Sequence, residues 1–259
     1  MPDALNLGAS GWDTLLQQAF DQSHREQRIP FYHCGLIPVA LDGQWWVAAV
    51  LDGYPAQQAG VRRGDRLLDE RVISRDGGPM TLSLARDGSP LQTTVMSVYE
   101  DLYDSYRSAT LNSVQQFSNG NKVIGYVHLW GLSRAWGDLV TYADIIRSLS
   151  HCDGMILDLR DSTGVFAPEH IEPFVAAADP GRNAYRYYDR EMVILQNSGS
   201  REGALAFIQA LGSLQRVVTV GEATANGMVP EQTVLYPFTE SVATDPQFQA
   251  GMMTLMMIM

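Results

Sequence analysis

Side chains able to carry acyl-transfer chemistry lie between Asn197 and Gly227, where Ser198, Gly199, Ser200, Arg201 and Glu202 precede an apolar stretch and Gly221-Glu222-Ala223-Thr224 follows it. A serine nucleophile needs a neighbouring base to take its proton. The bases in the chain are few. His128 and His170 are available, but Lys122 is the single lysine and precedes a different apolar run. Arginine cannot serve, because it does not deprotonate in proteins. Asp158 and Arg160 form a second polar group at the end of an apolar run, before Ser162 and Gly164. Their spacing suits an ion pair that holds a loop.

The elements that position these residues are legible from their periods. Met192–Leu195 and Val217–Val220 are short, fully apolar runs with the length of buried strands. Between them Ala204, Leu205, Phe207, Ile208 and Leu211 recur at helical spacing, with Gly212 expected as the C′ residue. Strand, turn, helix and strand make a βαβ unit. Its turn places hydroxyls and open amides at a helix N-terminus, where negative charge is favoured. KVIGYVHLW predicts a strand at residues 122–130, and Leu139, Tyr142, Ile145, Ile146 and Leu149 predict a helix leading into CDGMILDLRDSTGV. The stretch from Ala167 to Arg190 is expected to be a helix and a connection. In the closing helix, Thr244 is expected as N-cap with Pro246 in the first turn.

These motifs resemble the core of the carboxyl-terminal processing (tail-specific) proteases. In that family a strand leads to a Gly-Ser-Ala-Ser turn whose second serine is the nucleophile, and a lysine beyond Gly-Glu-x-Thr is the base. Gly199 and Ser200 match the first half of the turn, and Gly221, Glu222 and Thr224 match the second motif. The alignment puts Glu202 at the nucleophile's place and Ala225, Asn226, Gly227 and Met228 where the lysine belongs. Leu157-Asp158-Leu159-Arg160 and Gly164 resemble the strand and loop that supply an oxyanion-hole N–H, with Ser162 for the family's Asn and Val165 for its second Gly. The resemblance therefore implies a vestigial or rearranged site at Ser200, Glu202 and Gly164. Some relatives use a histidine base, which directs attention to His128, and Ser200 is the substitute nucleophile if hydrolysis survives.

Upstream, residues 31–98 break into short strands with turn punctuation. Within them Pro55, Ala56, Ala59, Gly60, Val61, Gly64, Asp65 and Leu67 resemble the signature of a protease-associated PDZ domain. Gly60 and Gly64 suit positive φ, and Asp65 can accept from turn amides. The resemblance implies capture of an extended peptide or protein C-terminus by strand addition. The implied contacts are Cys34, Gly35, Leu36 and Ile37. The expected fold class is α/β (α+β), a small strand-rich PDZ domain plus a ClpP/crotonase-like ββα core. The expected boundaries are 1–30 for an N-terminal helical segment, 31–98 for the PDZ domain and 99–259 for the core. In the first segment Ser10–Asp13 reads as a capping box, and the stripe from Trp12 to Phe20 is expected to pack on a neighbouring domain.

The net charge of −11 argues against nucleic acid and anionic membrane as partners, since both reward clustered Lys and Arg. No run reaches the roughly 18 apolar residues of a membrane span. No signal peptide is visible, although the resemblance implies an exported, for instance periplasmic, protein. Five scattered histidines and two distant cysteines show no metal-ligand spacing, and no phosphate loop appears, so no cofactor is expected. The Met-rich C-terminus suits core filling or a homo-oligomer contact. Two further readings stay open: an active endopeptidase built on Ser200, and a non-enzymatic scaffold or apolar-ligand carrier, a use to which this fold has been put in retinoid-binding proteins.

Overall fold

The computed structural model describes residues 11–23, 27–74, 76–175, 188–238 and 244–259. The chain divides into two compact units, residues 1–112 with 237–244, and residues 113–236 with 245–259. The capping box at Ser10 and the connection over 176–187 lie outside the described residues.

The first unit contains α1 (Trp12–Ser23), β1 (Phe31–His33), β2 (Leu36–Leu41), β3 (Gln44–Val50), α2 (Pro55–Gln58), β4 (Arg66–Leu67), β5 (Ile73–Ser74), β6 (Pro79–Arg86), β7 (Ser89–Met96), β8 (Val98–Glu100) and α3 (Leu102–Ser113). An antiparallel sheet has the order β2-β3-β4-β6-β7, and a smaller one the order β5-β1-β8. Two Asp-Gly pairs, Asp42-Gly43 and Asp87-Gly88, turn its long hairpins with positive φ at all four residues. The Gly60 and Gly64 turns also have positive φ, 75° and 86°. Asp65 closes them as expected, accepting from the Arg62 amide at 2.9 Å. A partner the sequence did not announce, Arg86, reaches the buried Asp65 carboxylate with both Nε and Nη2 and bonds the Gly60 carbonyl as well. Helix α1 packs inside this unit. Trp12 meets Phe31 and His33 edge-on, and Phe20 meets Tyr103 and Tyr106 of α3. Phe238 also belongs to this unit, tilted against Trp46 and covered by the Arg63 guanidinium at 4.0 Å.

The second unit contains β9 (Gln115–Asn119), β10 (Lys122–His128), β11 (Gly131–Leu132), α4 (Trp136–Ser148), β12 (Gly154–Asp158), β13 (Thr163–Gly164), β14 (Met192–Gln196), α5 (Gly203–Gly212), β15 (Val217–Gly221), β16 (Gln232–Thr233) and α6 (Pro246–Ile258). Its main sheet has the order β16-β15-β14-β12-β10-β9, parallel except for β9. The strands are apolar on both sides because both faces are covered. Met192 and Ile194 join a core with Tyr142 and Ile146 of α4 and Phe207 of α5, whereas Val193 and Leu195 pack with Ala250 and Leu255 of α6. Gly251 lets α6 approach β14 closely; a Cβ there would meet Leu195 Cδ2 at 2.9 Å.

Three local expectations are corrected. The N-cap of α6 is Asp245 rather than Thr244, its carboxylate accepting from the Gln247 and Phe248 amides at 3.0 Å each. Helix α5 keeps Gly212 as its last residue, with Ser213 as C-cap. Over residues 168–174 the expected helix takes the form of two single 3-10 turns; Pro173 has no N–H to give the carbonyl four residues back, which stops an α-helix begun at Pro168 from continuing. Along α6, Met252, Met256 and Met259 pack into the core while Met253 and Met257 are exposed.

Candidate functional site

Strands β10, β12, β14 and β15 end on one side of the parallel sheet, the side where open α/β sheets present their loops. Two of those loops are stitched together. Asn197 Oδ1 accepts from the amides of Asp161 (2.9 Å) and Gly199 (3.0 Å), and its Nδ2 donates to Asp161 Oδ2 at 3.1 Å. The Arg201 amide donates to the Ser162 carbonyl at 3.0 Å. The loop after β12 is anchored by the predicted ion pair. Asp158 is fully buried and receives Arg160 Nε at 2.9 Å and the Tyr126 hydroxyl at 2.9 Å. Burial alone would raise the Asp158 pKa, but the adjacent Arg160 guanidinium outweighs it and holds the carboxyl down at about 2. Arg160 continues to Asp245 at 2.7 Å, so the loop is tied to the cap of α6.

Ser200 is fully buried. Its hydroxyl donates to the Leu159 carbonyl at 2.7 Å and accepts from the Asn197 amide at 3.1 Å. Its proton is thus committed to a backbone oxygen, and no imidazole is among its partners. The turn expected to offer open amides is closed in the same way, since Gly199 and Ser200 both donate within it.

Glu202 stands two residues on, at the N-cap of α5. Its backbone has φ 53° and ψ −121°, a positive-φ conformation outside the left-handed helical basin. Such strain costs on the order of 1–3 kcal/mol and persists only where surroundings over-determine it. A strand-to-helix turn with a strained residue at its apex is the geometry used to expose a nucleophile. Here the apex side chain is a carboxylate. Glu202 Oε2 accepts from Thr163 Oγ1 at 2.8 Å and from the Gly164 amide at 3.4 Å. Gly164, at φ 103°, is the residue expected to donate to an oxyanion. Its neighbour Val165 turns its side chain to solvent, 42% exposed, and bonds the Leu132 carbonyl through its amide.

The candidate bases are all engaged. His128 Nε2 lies 2.7 Å from the Arg160 carbonyl, so that nitrogen carries the proton, and the ring stacks on Trp130 at 3.7 Å. His170 Nδ1 accepts from the Ala167 amide at 3.0 Å, and burial lowers its pKa. Lys122 is 3.8 Å from Asp153, at the start of β10. The site lies at the other end of that sheet, about 20 Å along a seven-residue strand. Ala225–Met228 form a turn in which Thr224 Oγ1 meets Asn226 Oδ1 at 2.6 Å.

Two residues of this site escaped the sequence reading. Thr163 is a donor to Glu202, and Gly203 permits the contact: a Cβ there would meet the Phe166 amide nitrogen at 2.4 Å and the Gly164 carbonyl at 2.5 Å. The available signal for Gly203 was a glycine opening a helix with no turn to justify it.

In the first unit, Cys34, Gly35, Leu36 and Ile37 are all buried. Gly35 has φ 79°, and the space beside it is filled by Tyr54, whose Cβ would be 2.4 Å from an added Cβ. The Gly35 amide donates to His33 Nδ1 at 3.1 Å. Strand β2 ends its sheet, and Ala40 and Leu41 are exposed. Val47 turns its amide and carbonyl toward Asp65 and Gly64, so Pro38 opposite it turns its own backbone outward. Proline has no N–H, which blunts that edge.

No protein-family model and no curated protein matches the sequence. Among solved structures, the photosystem II D1 C-terminal processing protease is similar, with a TM-score of 0.51 and 15% identity over 86% of this chain and 76% of that one. A putative S41 protease from Bacteroides fragilis NCTC 9343 aligns at 0.48 and 16% identity over 78% and 66% of the two chains. The tricorn protease aligns at 0.47 and 14% identity over 89% of this chain and 29% of its own. The chain thus has the fold of the S41 C-terminal processing proteases, a PDZ unit and an α/β core, at low sequence identity.

Proposed function

We propose that this chain is a carboxyl-terminal processing protease homologue without hydrolytic activity, which holds extended peptides or protein C-termini rather than cutting them. The observation that carries the first half is the Glu202 carboxylate on the Gly164 amide. An oxyanion hole works by aiming donors at developing negative charge. A resident carboxylate both occupies the donor and repels that charge. Among the described residues no amine base lies within reach of the site, and the Ser200 hydroxyl donates to the Leu159 carbonyl. Peptide holding is supported by the PDZ-like unit, where β2 lies at its sheet edge and Ala40 is exposed there with its backbone turned outward.

The test is incubation of an unstructured protein with an apolar C-terminus with the chain and with its Ser200→Ala variant. Binding without cleavage by either is expected. Cleavage by the parent that disappears in Ser200→Ala would overturn the reading and make this a serine endopeptidase with a rearranged site.

A further inference from the structure

The closed loop before β2 contains a titratable latch. His33 is fully buried and is held from both ring nitrogens. Nδ1 accepts from the Gly35 amide at 3.1 Å, which requires an unprotonated nitrogen. Nε2 therefore carries the proton and donates to Ser105 Oγ at 3.1 Å. Ser105 Oγ donates to Glu100 Oε2 at 2.9 Å, with the Asp101 carbonyl at 3.0 Å, and the Tyr54 hydroxyl donates to the same carboxylate oxygen. The ring is walled by Trp12 of α1 and by Phe31, with Tyr54 stacked on it at 5.8 Å. Strands β5 and β8 place Ile73 and Val98 beside it. The charged groups on its α3 side are acidic: Glu100 behind Ser105, and Asp101, whose carboxylate receives the Ile29 and Tyr103 amides.

A second proton on this ring affects its two sides differently. On the Nε2 side nothing changes, because that nitrogen is already a donor and Glu100 stands behind the hydroxyl. On the Nδ1 side a new N–H faces the Gly35 N–H. Two donors 3.1 Å apart cannot bond each other, so the contact breaks. The same two donors, once parted, match in number the two oxygens of a carboxylate. We propose that His33 is an acid-operated latch on the loop from His33 to Ile37, and that its protonation releases the Gly35 amide and completes a two-donor site for the terminal carboxylate of a peptide. This rests on the peptide-holding reading above and says when that holding occurs. Tyr54, packed on Gly35, is the piece that moves aside. Burial lowers the His33 pKa to about 4, so at neutral pH the latch is shut, and ligand binding must draw in the proton.

The test is fluorescence anisotropy on the full chain with a fluorescein-labelled Gly/Ser peptide ending in Val-Ala-Ala, either as free carboxylate or as C-terminal amide. Readings run from pH 7 to pH 5, above the sequence pI of 4.8. One proton taken up per ligand predicts a Kd that tightens about tenfold per pH unit for the carboxylate only. His33→Asn keeps an acceptor for Gly35 but cannot titrate, so its weak binding should be flat with pH. Binding with no slope, an equal slope in His33→Asn, or equal binding of the amide overturns the latch while leaving peptide holding intact. No binding at any pH defeats peptide holding and the carboxylate site together. The latch motion is then decided by NMR of the unliganded wild type. A Gly35 amide shift that tracks the His33 ring titration upholds it, and a shift that does not overturns it.

Discussion

Glu202 combines a strained backbone with a favourable side chain, and the two can be separated by mutation. Glu202→Gly removes the positive-φ strain along with the bonds to Thr163 and Gly164, whereas Glu202→Ala loses the bonds and keeps the strain. The glycine variant should therefore be the more stable of the two by about 1 kcal/mol or more, read from denaturant midpoints at equal slope. Equal stability would show that the φ of 53° costs nothing here. The type of residue 202 and its place in the motif were readable from the chain, because Gly199-Ser200 and Gly221-Glu222 bracket it without gaps. Its hydrogen bond to Gly164 was not, since it depends on a loop that starts nearly 40 residues earlier. Ser200 illustrates the same limit: its type suggested a nucleophile, but the carbonyl of Leu159 decides where its proton goes.

At the scale of elements, the strands and helices of the core follow from period and length, and those predictions hold for β14, α5, β15 and α4. What period cannot show is how closely two elements approach. Gly203 is such a place. Gly203→Ala would drive a methyl to 2.4 Å from the Phe166 amide, a backbone atom that cannot swing away. Overpacking of that kind costs about 1–3 kcal/mol. The expected signature is a lowered Tm with faster hydrogen exchange in residues 163–166, and an unchanged exchange pattern there would refute the close contact. The loop at Gly35 shows the same blind spot. Gly35 was among the implied ligand contacts, yet the room it creates is filled by Tyr54, the residue just before the PDZ-like signature, which carries no motif role of its own.

For the whole molecule, the two units respond to acid unequally. In the first, His33 refuses a proton until about pH 4, while in the unfolded chain it accepts one near its ordinary 6.5. Stability is therefore lost as pH falls from about 6.5 to about 4, by on the order of 3 kcal/mol. In the second, burial lowers the His170 pKa in the same direction but less far, whereas Asp158 stays ionised to about 2, so its contribution is complete above its ordinary 3.8 and is lost only as pH falls below that. The first unit should open first. Hydrogen exchange followed by mass spectrometry from pH 7 to pH 3 should show protection vanishing from residues 31–100 before 122–221, and loss in a single step would contradict it.

The first unit is also discontinuous, for Phe238 sits between Trp46 and Arg63 although about 125 residues of the second unit intervene in the chain. During synthesis at about 5–20 residues per second, the amino-terminal unit must wait on the order of ten seconds for the aromatic side chain that completes it. For that interval Trp46 stands outside the ribosome without its partner, and the unit begun first is finished only after nearly all of the other has been made, just before residues 245–259 complete the second.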